Sequence, residues 1–176
     1  MSTQIKKKTP CRIKVRSLIR ETDAEKNTPI YEDLSSDTFP DMNNDKAYTK
    51  ETDEVIEFST EGTVTENKGL FEITYKENES LGMSDIESTL RFKKSNPDLV
   101  NLIRSGSSLA SFIFDARFPR QNCTYYIDNM PLNFCIITNE VVNTFDEKGG
   151  KIILDYEIEM QGIKTEHNKF TLEYTV

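Results

Sequence analysis

The chain has no tryptophan, one histidine and three cysteines, and each scarcity removes a class of function. A single histidine cannot supply a His-rich metal set. His167 lies on the parity opposite to Phe170, Leu172 and Tyr174, which predicts an outer-face position with no triad-like partner. Cys11, Cys123 and Cys135 are odd in number, widely spaced and free of any Cys-x-x-Cys pair, so a disulfide framework is not expected. Cys11 and Cys123 share parity with apolar neighbours and read as buried thiols. Glycine-rich phosphate loops are absent. No stretch approaches the ~20 apolar residues of a membrane helix, and the first residues hold no apolar run like a signal peptide's core. A cytoplasmic protein without catalytic residues, metal or cofactor is the expectation.

The 176 residues fit one domain, 1–176, and can bury a real core. Aromatics at 10% argue against a wholly disordered chain. The 22 basic and 30 acidic residues give a net charge of -8, which disfavours nucleic acid and anionic membranes as partners. The charge is unevenly spread. Lys6, Lys7, Lys8, Arg12, Lys14, Arg16 and Arg20 make the start basic, whereas residues 21–53 are acidic and lack periodicity. That span is expected to be a disordered insertion between the first two strands.

Period-2 alternation dominates the rest. Cys11, Ile13, Val15 and Ile19 alternate with basic residues, a stripe that reads either as a solvated outer face or as a phosphate-binding one. Ile56, Phe58, Gly62 and Val64 form a second strand; Phe71, Ile73 and Tyr75 a third; Ile86, Leu90 and Phe92 a fourth. Leu109 to Phe114 looks buried on both sides. Cys123, Tyr125 and Ile127 follow, then Leu132, Phe134 and Ile136; Ile152, Leu154, Tyr156 and Ile158; and Phe170, Leu172 and Tyr174. Helix signals compete at two places: Ser84-Asp85-Ile86-Glu87 has the form of a capping box, and Asn96-Pro97-Asp98 before Leu99, Leu102 and Ile103 has a helix's start and spacing. Short strands joined by tight turns predict an all-β, antiparallel up-and-down barrel of about eight to ten strands.

One strand carries an anomaly. Glu77 and Glu79 continue the apolar parity of Phe71, Ile73 and Tyr75, and inward carboxylates are costly unless paired. Arg104 is the candidate partner, with Tyr126 as a hydroxyl donor.

From Thr60 onward the sequence resembles the YwiB-like family of bacterial proteins. The resemblance rests on Glu61-Gly62, on Tyr75-Lys76-Glu77-Asn78-Glu79 followed by Leu81-Gly82-Met83, on Thr89, and on Ile103-Arg104-Ser105-Gly106. Phe114, Tyr126, Thr138, Gly149-Gly150 and Leu154-Asp155-Tyr156 extend it. It implies a calycin-like, lipocalin-like β-barrel, favours strand over helix at 99–104, and implies no activity. Asp128-Asn129-Met130-Pro131 stands where the family has a glycine-containing turn, and the acidic insertion is longer than usual.

Two functions fit. In the first, Tyr75, Glu77, Glu79, Arg104 and Tyr126 line or rim a cavity and orient a small ligand; their structural alternative is a plug sealing one barrel end. In the second, a solid barrel is a protein-interaction module working through its basic first strand and acidic insertion.

Overall fold

The computed structural model describes residues 7–22, 53–77, 85–146 and 148–176. The strands in chain order are β1 (Lys7–Glu21), β2 (Asp53–Asn67), β3 (Leu70–Lys76), β4 (Ile86–Lys93) and β5 (Asn96–Gly106), then β6 (Ser108–Phe114), β7 (Arg120–Ile127), β8 (Met130–Phe145), β9 (Gly149–Met160) and β10 (Ile163–Thr175). Each pairs antiparallel with the next, and β1 also pairs with β10, so the meander closes into a ten-stranded barrel. Closure removes the sheet edges that an open meander would expose.

Three hairpins turn on residue pairs with positive φ at both positions: Lys68-Gly69, Asp128-Asn129 and Gln161-Gly162. This is the geometry whose twist matches the flanking strands. The Asp128-Asn129 turn achieves it without glycine, because short Asx side chains tolerate the left-handed region. Met130 and Pro131 therefore belong to β8 and not to the turn.

Local helix signals lose to the ladder. Residues 99–104 lie in β5, with Val100 and Leu102 buried and Ile103 on the other face. Asp85 sits in a left-handed turn at φ 68°, and Ile86 opens β4, where Ile86, Ser88, Leu90 and Phe92 are all buried. One expectation is corrected at β6. Ser108, Ala110, Phe112 and Phe114 face inward, but Leu109 (52% exposed) and Ile113 stand on the outer wall, so the strand is buried on one side only. Of the expected acidic insertion, Glu21 and Asp53 belong to β1 and β2, and the Thr22 amide donates to the Thr165 carbonyl at 2.9 Å. Residues 23–52 lie outside the described residues.

The interior differs between its two ends. Where the β2–β3, β4–β5 and β8–β9 turns meet, Phe71, Phe92 and Phe145 form a triangle with ring centroids 5.0–5.3 Å apart, backed by the buried Leu90, Val100, Ile152 and Leu172. Aromatic contacts at this spacing add to the burial of their area. Toward the other end, where the β5–β6, β7–β8 and β9–β10 turns lie, the buried positions become polar: Glu77, Ser88, Ser108, Thr138 and Asn168.

The β6–β7 hairpin pairs only at Ser108–Ile127 and Leu109–Tyr126, next to that polar end. Beyond, the strands splay, and Phe112 fills the seam against Tyr125 (6.0 Å) and Phe134 (5.9 Å). The connection is held by Asp115, whose carboxylate accepts from the Arg117 amide, Nε and Nη2 at 2.8–3.0 Å.

Candidate functional site

Glu77 is placed by the ladder. Its amide donates to the Ile86 carbonyl at 2.9 Å, which keeps β3's register one step past the strand's end. Its side chain therefore shares the inward parity of Ile73 and Tyr75, and it is buried. Across the sheet, Tyr75 pairs with Ser88, Ser88 with Arg104, and Arg104 with Ala110. One transverse row thus sets a tyrosine, a serine and an arginine side by side, with a small residue beside the arginine.

The contacts follow from that row. Ser88 Oγ donates to Glu77 Oε1 at 2.6 Å, and Arg104 Nε lies 3.5 Å from the same oxygen. The Glu77 side chain is nearly inaccessible, whereas that of Arg104 keeps about a fifth of its surface. Burial opposes the Arg104 charge, but Glu77 and the nearby Tyr125, Tyr75 and Tyr156 more than offset it, so its pKa is raised. Burial, then the charge of Glu77, pushes the Tyr75 hydroxyl well above the ordinary tyrosine range, against the opposing effects of Arg104 and a hydrogen bond with Ser88. Tyr156 is pushed up to about 12, mainly by burial. The Tyr75 and Tyr156 hydroxyls therefore stay protonated beside the Arg104–Glu77 pair.

Two polar atoms at this end lack a partner among the described residues: Arg104 Nε and the hydroxyl of Thr138, the cross-strand neighbour of Tyr156. The Tyr174 hydroxyl and Asn143 Oδ1 are also unpartnered; Tyr174 faces Gly150 across the β9–β10 ladder, toward the aromatic end and away from the cluster.

The structure brings together Tyr75, Glu77 and Arg104. Tyr126 is corrected: it is 45% exposed on the outer wall, because Tyr125 takes the inward parity and period 2 turns its neighbour outward. Glu79 lies outside the described residues. Sequence reasoning missed Ser88, Tyr125, Tyr156 and Thr138 as members of this polar end. Ser88 had a readable signal, a polar residue on the parity of Ile86, Leu90 and Phe92. Tyr156 had none, since an aromatic in an alternating strand reads as core. Among the described residues, no group of His, Cys, Asp and Glu could hold a metal ion, and no helix is long and apolar enough to cross a membrane.

Residues 41–172 match the profile of a family described as a domain of unknown function, DUF1934. The chain belongs to that family. Among solved structures, the DUF1934 barrel resembles the crystal structure of the ywiB protein from Bacillus subtilis, with a TM-score of 0.68 at 19% identity. The alignment covers 97% of this chain and 94% of that one, so the likeness extends over the whole fold. No curated protein matches the sequence.

Proposed function

We propose that this barrel binds a small molecule at its polar end, with Arg104, Glu77 and Tyr75 orienting it and Ser88 and Tyr156 completing the wall. The observation that carries this reading is the buried Arg104 Nε, which has ion-pair distance to Glu77 but no hydrogen-bond partner among the described residues. A buried donor left unsatisfied costs about 1–3 kcal/mol; this Nε is sealed and faces Glu77, but the Arg104 side chain keeps about a fifth of its surface, where an acceptor on a bound molecule would meet the guanidinium's other N–H groups. The hydroxyl of Thr138 has the same need at the same end. Serine, threonine and tyrosine hydroxyls around one paired charge suit recognition better than catalysis. The described cluster contains no histidine or thiol, and its central carboxylate is already engaged by Arg104 and Ser88. Three buried, unbridged thiols accord with action in the reducing cytoplasm.

An interaction module built on the basic first strand has less support. Lys14 and Arg16 share Glu57, and Arg20 pairs with Asp53 at 2.9 Å, so these charges are largely spent within the wall.

Native mass spectrometry of the purified protein tests the binding reading. The expected result is a co-purifying small molecule that is lost in Glu77→Gln while thermal unfolding stays cooperative. Retention of the molecule by Glu77→Gln and by Arg104→Met would make the cluster a structural plug.

A further inference from the structure

The β7–β8 hairpin runs past the cluster with its apolar side uncovered. Tyr125 acts on the Arg104 charge and touches Phe112 at 6.0 Å, so it faces the interior. Its cross-strand partner is Leu132, and one step farther along the same face Ile127 pairs with Met130. By parity these three apolar residues share the inward face of Tyr125, yet all are exposed, Met130 at 70%. Inward-facing apolar side chains lose their cover only where a hairpin extends beyond the rim. The hairpin therefore presents a short apolar strip that continues directly from the polar cluster.

We infer that the ligand is amphipathic: an uncharged, hydrogen-bond-accepting head such as a carboxamide seated at Arg104, and an aliphatic tail laid along Ile127, Met130 and Leu132. This rests on the binding reading above. The head is uncharged because Glu77 already neutralises Arg104; a second carboxylate would face Glu77, and an ammonium would face Arg104, at close quarters and in low dielectric. An accepting head is required because the partly open Arg104 guanidinium offers only N–H donors. The tail follows from the strip, since each methylene it covers leaves water.

Isothermal titration of the full chain with butanamide, hexanamide, octanamide and decanamide tests both halves. Affinity is expected to rise about fourfold per added methylene, the gain for one buried CH₂. Decanamide is expected to bind at least tenfold more tightly than decanoate or decylamine. Met130→Ser, at an exposed position, should flatten the chain-length slope while thermal unfolding stays cooperative. Amide binding without any chain-length slope would overturn the tail and spare the head site. Decanoate binding as tightly as decanamide would overturn the uncharged head. Amide binding that survives both Glu77→Gln and Arg104→Met would overturn the site itself, and no measurable binding of any of the six compounds would overturn the inference together with the reading beneath it.

Discussion

Arg104 and Glu77 are partners, but they are not equivalent. The Glu77 carboxylate is almost sealed, with Ser88 as its hydrogen-bond donor, whereas Arg104 has a long stem and partial access to solvent. Arg104→Met strands a buried charge that cannot move, and breaking such a pair typically costs about 3–5 kcal/mol. Glu77→Gln leaves an amide that still accepts from Ser88, and a guanidinium able to swing toward water, so its cost should be nearer 1–3 kcal/mol. Urea denaturation of the two variants checks the order, and a larger loss for Glu77→Gln would contradict it. Asp115 supplies a pH test. Its hydrogen bonds to Arg117 hold its carboxyl below the ordinary value, against burial, which acts the other way. A depressed native pKa means that the unfolded chain binds the proton first, so the stabilisation is present above roughly pH 4 and is lost as pH falls through the native value. Asp115→Asn should flatten the acid limb of a stability-against-pH curve. An unchanged limb would assign acid unfolding to other carboxylates.

Strands were the most legible elements, because one buried face imprints period 2 on the sequence. Phe71, Ile73 and Tyr75, or Ile152 and Leu154, could be placed inside from parity alone, and Glu77 came with them. The legible part of the site stopped at that parity. Which inward residues meet depends on register between strands far apart in sequence, so the row from Tyr75 through Ser88 to Arg104 appears only once β3, β4 and β5 are paired. Helix-like signals at 84–87 and 96–103 left helix and strand open for the related reason that caps and spacing are local, while a ladder on both sides is not. Two substitutions probe these elements. Phe92→Ala removes the ring stacked on Phe71 from a fully buried position and should cost about 3–5 kcal/mol. Gly62→Ala would place its new carbon 2.6 Å from the Thr74 carbonyl oxygen and against the Ile13 side chain, and should cost about 1–3 kcal/mol. Chemical denaturation measures both, and a neutral Gly62→Ala would mean that β1 and β3 can shift apart.

For the whole molecule, closure depends on β1 meeting β10, the two strands most distant in sequence. Topologies ruled by such non-local contacts fold slowly, and no partial set of these strands buries the shared interior. A chain ending at Gln161 lacks β10, which deprives β1 and β9 of a neighbour; it should give no cooperative unfolding transition. A sharp transition in that truncation would show that nine strands suffice.

The contrast between an end rich in packed aromatics, where Asp115 is the one buried charge among the described residues, and a polar end runs along the strands instead of separating one strand from another. Local opening is favoured where few apolar contacts must be broken, so the polar end can loosen while the Phe71, Phe92 and Phe145 triangle stays shut. Protection against amide exchange should therefore grade along each strand: in β4, Phe92 slow and Ile86 faster, and in β9, Ile152 slow and Ile158 faster. The barrel would then breathe like a bag tied at the bottom, admitting visitors at its neck at a free-energy cost well below that of unfolding.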